Sequence, residues 1–387
     1  MIGRVSDSTF EYIDTDAGLA ALCSRIAQAE VVALDTEANS LHNYYERVCL
    51  LQITLDDEHF IVDPLAEADL TELIEVLREK HLLLHGADYD LRLMRATFGF
   101  APNSPVFDTM LAAQLLGIER FGYAALVERY LEVTLSKSGQ KSNWARRPLT
   151  DAQLRYAADD TKYLAMIRSI MIEELEACGR LEWHREWCTK MVASTQQENT
   201  RNRDEAWRIR GLGKLDRRQL GFVREIWSWR EREAQNADRP PFKILGNQPI
   251  VDLALWSSNQ ESPSLEGGPK LPRHCDGKRL QALESAVRAA HRMSKNDWPE
   301  KRPAREAPAP RGADIKNQLE ALRNASAEVA EELGIPASVV APKAMLSAVA
   351  REKATTREAM MACSGMMNWQ VELLEDRIRH VLSTVVG

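Results

Sequence analysis

The chain of 387 residues has room for two or three domains with cores of their own, and 44% hydrophobic with 28% charged residues is ordinary for a soluble protein. Its six cysteines (Cys23, Cys49, Cys178, Cys188, Cys275, Cys363) show neither a CxxC pair nor a zinc-like spacing, and no apolar run approaches the length that crosses a bilayer. A disulfide scaffold and a membrane span are therefore not expected, no secretory signal is expected from MIGRVSDSTF, and the setting is expected to be reduced and cytoplasmic.

The net charge of −7 is unevenly spread: −13 over residues 1–200, +8 over 201–312 and −2 over 313–387. A basic middle behind an acidic front suggests a polyanionic partner held by the middle, although solvated helix faces give the same count.

The first clear element is VVALDTEANS, Val31 to Ser40, an apolar run that reads as a buried strand. Residues i and i+2 of a strand share a face, so Asp35 and Glu37 aim two carboxylates at one place. Acids at strand ends often only start a turn or meet solvent. A divalent cation with oxygen ligands is the alternative, and two acids alone cannot complete such a site. Val48 to Leu55 and His59 to Val62 read as further strands, the latter stopped by Pro64. Asp69 to Lys80 has helical spacing at Leu70, Ile74 and Leu77, and His81 to Gly86 is a short fourth strand. The first three strands follow closely enough to form a meander, so a mixed sheet is expected.

HGADYDLRLMRATFGF places Asp88 as the cap of a helix whose first turn carries Asp90, with Leu91, Met94 and Phe98 on its apolar side. Alone, Asp90 reads as a charge favouring the helix dipole, and His85 as a satisfied histidine at a strand end. Farther on, Thr150 and Gln153 form a capping box, and Tyr156 and Asp160 lie four residues apart on one face of the helix it starts. Asp159, about 100° round the helix, is expected to be the more solvated acid.

Beyond residue 200 the strand signals fade. KLDRRQLGFVREIWSWREREAQNADRPP is one helix with Leu220, Val223, Trp227 and Trp229 among its apolar positions, stopped by Pro240 and Pro241. Residues 299–313 have the Pro-rich, charged composition of a linker, and Ile315 to Leu333 is helical again. The stretch 239–255 is echoed at 334–350: a helix ends, a proline follows (Pro241, Pro336), and an apolar pair comes next (Ile244 and Leu245, Val339 and Val340). This suggests two copies of one helical module, the second poor in Lys and Arg.

The ordered set, strand Asp35-x-Glu37, then Asp90 at a helix start, then Tyr156-x-x-x-Asp160, resembles the tyrosine branch of the DEDD family of 3′–5′ exonucleases. VCLLQIT, VFDTMLAAQLLG (Val106 to Gly117) and LSKSGQKSNWARRPLT (Leu135 to Thr150) resemble the ribonuclease D family within it. The resemblance implies an α/β ribonuclease H-like domain, a mixed sheet flanked by helices, over residues 1–195. It implies two all-α helical-bundle HRDC-like domains at 203–298 and 314–387, the latter divergent, joined by a linker at 299–313. It further implies a metal-dependent exoribonuclease that trims 3′ ends of tRNA precursors and other structured RNAs and releases nucleoside 5′-monophosphates. Two divalent cations, Mg²⁺ or Mn²⁺, would be held by Asp35, Glu37, Asp90 and Asp160. Asp35 would bridge them, Glu37 and Asp160 would serve the nucleophile side, and Asp90 the other. Tyr156 would orient the attacking water, and no organic cofactor or membrane partner is implied. Lys141, Trp144, Arg146 and Arg147 would border the RNA end, with Trp144 either stacking on a base or anchoring its loop. Arg208, Arg210, Lys214, Arg217, Arg218 and Arg224 would meet phosphates. Removing residues 203–387 would then weaken tRNA binding while sparing chemistry on short oligonucleotides. A 3′–5′ exonuclease acting on DNA shares every one of the five site residues, and a non-catalytic RNA-binding scaffold is the reading from another class.

Overall fold

Six strands form one mixed sheet in the order β1-β4-β3-β2-β5-β6 in a computed structural model that describes residues 10–136, 139, 142–197, 203–301 and 313–384. β2 (Val31–Ala38), β3 (Val48–Leu55) and β4 (Glu58–Val62) make the expected antiparallel meander, because their links are too short for a crossover. β5 (His81–Leu84) joins β2 in parallel. Two strands were not expected. β1 (Phe10–Ile13) and β6 (Val106–Asp108) add parallel edges to β4 and β5, and neither FEYI nor VFD carries the run of apolar residues that marks the equally short β5.

β3 is buried along its whole length, so helices cover both faces of the sheet. On one face Val32, Leu34, Leu51 and Ile53 pack in one cluster with α1 (Asp16–Gln28), α2 (Thr71–Arg78) and α3 (Asp88–Phe98). On the other, Leu50 and Ile61 meet Ala157 and Ala158, and Ala33 and Leu83 meet Leu164. α4 (Thr109–Leu115) and α5 (Tyr123–Leu131) precede α6 (Asp151–Lys162), α7 (Leu164–Ala177) and α8 (Leu181–Thr195). The Thr150–Gln153 capping box does start α6.

By its contacts the chain divides into two units. One comprises Met1–Ala38, Arg47–Gln197 and Ala309–Gly387, the other Asn39–Glu46 and Glu198–Pro308. In the second unit α9 (Arg217–Asn236), α10 (Pro241–Ile244), α11 (Asn247–Ser258) and α12 (Gly277–Arg292) enclose a core of Phe222, Ile226, Trp229, Ile250, Leu253 and Val287. The Asn39–Glu46 loop belongs to this unit. Asn43 Nδ2 and the Tyr44 and Tyr45 N–H groups donate to the Asp238 carboxylate at 2.7, 3.0 and 3.1 Å.

The last stretch, α13 (Ala313–Leu333), α14 (Ala337–Val340), α15 (Lys343–Glu352), α16 (Arg357–Ser364) and α17 (Asn368–Thr384), repeats the long-helix, proline, short-helix pattern of α9 and α10. It does not form a core apart. Val340, Trp369, Val371 and Leu374 share one cluster with Ala112, Leu115, Leu126, Ile167 and Met171 of the α/β unit. Trp369 stacks on Trp183 at 4.8 Å and 11°, and Arg180 donates to the Leu115 and Leu333 carbonyls at 2.6 Å each. A Cβ on Gly117 would lie 2.0 Å from the Gly334 carbonyl oxygen, so only glycine permits this approach. Removing everything beyond residue 203 therefore also opens this shared core. Among the described residues no helix is long and apolar enough to cross a membrane.

Candidate active site

The alternation of β2 sends Asp35 and Glu37 to the face covered by α6, and Thr36 to the other. On that face α6 presents Asp160, and one carboxylate oxygen each from Asp35, Glu37 and Asp160 lie within 4.8 Å of one another. Asp90, buried at the start of α3, stands outside that triplet but is tied to the same strand: Thr36 Oγ1 donates to its Oδ1 at 2.5 Å. It is also the strongest charge influence on Asp35. Four acids far apart in the chain thus converge.

Their protonation shows what the convergence costs. Burial, then the charges of Asp90, Asp160 and Glu37, hold the Asp35 carboxyl well above the usual range, against one hydrogen bond from the Thr36 backbone. Burial and the charges of Asp160 and Asp90 push Glu37 up to about 9. Burial and Asp159 push Asp160 up to about 7, opposed by the hydrogen bond from Tyr156. Burial raises Asp90 to about 6, with Thr36 opposing. Like charges in a dry site favour protons unless a cation replaces them. The donor set is oxygen only, with no His or Cys in it among the described residues, which fits a hard divalent cation rather than zinc.

Tyr156 is hydrogen-bonded to Asp160, and its phenol is raised by burial and by the charges of Asp160, Glu37 and Asp35, so it stays protonated. Gly139 lies against its ring so closely that a Cβ there would overlap the ring carbons. His85 lies outside the acid cluster, its Nδ1 within 2.9 Å of Thr109 Oγ1, as a satisfied histidine should be. Asp159 and Asp160 are both half-buried.

Asp88 does not cap α3. The N-cap is Ala87, and Asp88 pairs with Arg92 at 2.9 Å. The residue that organises this turn was not singled out: Asp108, 1% exposed, accepts from the N–H groups of Gly86 and Ala87 at 3.0 and 2.8 Å while capping α4 through Met110 at 2.8 Å. Its signal was an Asp directly before a helical run in VFDTMLAAQLLG.

The expected RNA contacts fare unevenly. Lys141 lies outside the described residues. Trp144 is 1% exposed and packs 6.0 Å from Tyr156, so it anchors its loop and offers no face to a base. Arg147 spends all five of its donors internally: Nε and Nη2 on Asp63 at 2.5 and 2.6 Å, Nη2 on the Cys49 carbonyl, and Nη1 on the carbonyls of Trp144 and Arg146. Arg146 is exposed and, with Ser142, Asn143 and Gln153, lines a cavity of about 520 Å³. In the second unit Arg217 is held by Glu300 and the Trp298 carbonyl, Arg208 by Glu205 and the Glu300 carbonyl, and Arg224 by the Asp297 carbonyl. Arg218 lies over the Phe222 ring, whereas Arg210 and Lys214 are exposed.

The Arg147 geometry has a measurable consequence. Arg147→Gln leaves the Asp63 carboxylate, 6% exposed, without its counter-ion and lowers stability by about 3 kcal/mol. Thermal unfolding reads this as a lower Tm, while the salt dependence of RNA binding keeps its slope. A flattened slope at unchanged Tm would return Arg147 to the phosphate-binding set.

Residues 10–176 match the 3′–5′ exonuclease family, and residues 219–256 and 316–379 match the HRDC domain. The chain is 36% identical to ribonuclease D of Zymomonas mobilis over 256 residues, 65% of each chain. It is 31% identical to ribonuclease D of Pseudomonas paraeruginosa over 352 residues, 89% of this chain and 90% of that one. The crystal structure of Escherichia coli RNase D, an exoribonuclease involved in structured RNA processing, matches with a TM-score of 0.71 at 25% identity, covering 97% of this chain and 99% of that one. Fold, acid cluster and relatives agree, and the chain belongs to the ribonuclease D family of 3′–5′ exoribonucleases.

Proposed function

We propose that the protein trims 3′ ends of structured RNAs, tRNA precursors among them, one nucleoside 5′-monophosphate at a time. The observation that carries this is the approach of the Asp35, Glu37 and Asp160 oxygens to within 4.8 Å, with Asp90 buried beside them. The four carboxylates would hold two divalent cations, Mg²⁺ or Mn²⁺. Bound there, the cations supply charge neutralisation and Lewis-acid polarisation for an in-line displacement at the terminal phosphate.

The chain's own groups do the positioning. Asp160 accepts from the Tyr156 phenol, which therefore has its oxygen lone pairs left to receive a hydrogen bond from water. Because Tyr156 stays protonated, it orients the nucleophile and does not deprotonate it. As the water oxygen bonds to phosphorus it gives up one proton to solvent, the bond to the upstream 3′-oxygen breaks, and that oxygen takes up a proton from solvent to leave as a hydroxyl. Arg146, at the mouth of its cavity, is the exposed cation best placed among the described residues of Ser142 to Arg147 to meet a phosphate. Six unpaired cysteines accord with a cytoplasmic setting.

The test is a 3′-labelled tRNA precursor incubated with Mg²⁺, with EDTA, and with an Asp35→Ala variant, single-stranded DNA running alongside. Shortening of RNA only in the first arm is the expected result. Equal shortening in all three removes the metal site, preference for DNA moves the substrate, and binding without shortening under any metal favours a scaffold.

A further inference from the structure

The helix that carries Tyr156 and Asp160 ends abruptly. α6 stops at Lys162, Tyr163 has φ −104° and ψ −1°, and α7 begins at Leu164. In an unbroken α-helix the Tyr163 N–H would donate to the Asp159 carbonyl four residues back. The backbone acceptor nearest the Tyr163 N–H is instead the Thr161 carbonyl. The Tyr123 hydroxyl stands between the Tyr163 and Asp159 groups, donating to the Asp159 oxygen at 3.0 Å and accepting from the Tyr163 nitrogen at 3.1 Å. A side chain inserted into the helical ladder is one of the few physical causes of a helix break.

The position of the insertion matters. Its two backbone contacts flank Asp160, so they grip the turn that holds this carboxylate against Asp35 and Glu37. The rest of Tyr123 is anchored on the site's other supports. Its ring packs against the cluster of Ala33, Leu83 and Leu164, where Ala33 precedes Asp35 on the same face of β2. It also lies 5.7 Å from the His85 ring, in the link between β5 and the helix of Asp90. One side chain therefore touches the elements that deliver Asp35, Asp90 and Asp160.

We infer that Tyr123 is a positioning residue, its hydroxyl a wedge that sets the end of α6 and so aims Asp160 into the acid cluster. This rests on the metal-site reading given above. An ordinary buried tyrosine would leave two stranded backbone groups when its hydroxyl is removed. Here the two groups are each other's natural partners. Tyr123→Phe lets Tyr163 N–H and Asp159 C=O close on one another, so little stability is lost while the helix end moves.

The measurement is Mg²⁺ and Mn²⁺ binding to Tyr123→Phe by calorimetry, beside metal-free Tm, kcat and KM. Metal affinity and kcat are each expected to fall about tenfold with KM and metal-free Tm nearly unchanged, the range seen when a group supporting a metal ligand is lost. A crystal structure of the variant should show the Tyr163 to Asp159 hydrogen bond formed and Asp160 displaced. Tyr130→Phe, which loses a hydroxyl contact to Glu174 at 2.6 Å, serves as the control and keeps parental metal affinity. Parental metal affinity in Tyr123→Phe, or a lower Tm with unchanged affinity, overturns the wedge. If Asp35→Asn also binds metal as the parent does, the metal-site reading falls instead.

Discussion

Asp35→Asn is expected to abolish metal-dependent shortening of RNA and, in metal-free protein at alkaline pH, to raise the melting temperature. The loss follows from removing the acid nearest in charge influence to Asp90, Asp160 and Glu37 together. Several kcal/mol of transition-state charge stabilisation goes with it, a fall of about 10³ in rate. The gain follows from linkage. Unfolded, these acids titrate near ~4, whereas folded and metal-free they titrate higher: Asp90 at about 6, Asp160 at about 7, Glu37 at about 9 and Asp35 well above its usual value. Between those limits the native state binds more protons than the unfolded one, so stability falls as pH rises from ~4 to about 9. An asparagine at 35 removes one of these contributions and relieves the charge on the other three acids, so its advantage over the parent grows across the same window. Added Mg²⁺ works in the opposite sense, because it binds the ionised carboxylates and the folded state alone. Its stabilising effect on the parent should increase from pH 6 to 9 and vanish in the variant. Differential scanning fluorimetry over that range, with and without Mg²⁺, reads all three. A parent whose metal-free Tm is flat with pH would show that the acids do not repel one another in the folded state.

What could be read from the sequence was what depends on neighbours along the chain. Asp35 and Glu37 share a face because strand geometry requires it, and Tyr156 and Asp160 share one because they lie four residues apart on the helix that the Thr150 capping box starts. Strands with an apolar run announce themselves, the four-residue β5 included, while β1 and β6 have no such run. The rest is long-range. No periodicity reveals that Thr36 will hold Asp90, or that Asp108 will collect the N–H groups ahead of it. Arg147 looked like a phosphate contact because a loop arginine reads as solvated, and only the fold supplies Asp63 as its partner. Trp144 was ambiguous for the same reason, and burial decided it. The second helical module was seen to be poor in basic residues, but the Trp183–Trp369 stack that explains its attachment joins residues far apart in the chain.

That attachment carries the other large effect. Removing Ala313–Gly387 exposes one side of a cluster that includes Leu115, Leu126, Ile167, Met171 and Leu175, and strips Trp183 of its stacking partner. Each large aliphatic side chain returned to water costs about 1.5–3 kcal/mol. Several together approach the whole stability of a domain, about 5–15 kcal/mol. The truncated chain is expected to aggregate or to lose cooperative unfolding, and with it turnover on short oligonucleotides as well as on tRNA. A milder variant keeps the question answerable if truncation yields no soluble protein. Trp369→Ala removes one fully buried indole at a cost of about 3–5 kcal/mol, which lowers Tm by about 6–20 °C in a unit of this size. Its activity below the lowered Tm should match the parent, since none of the four acids is touched. If instead the truncated protein stays monomeric, melts within a few degrees of the full chain and still shortens oligonucleotides, the second module is a passenger on the nuclease and not part of its core.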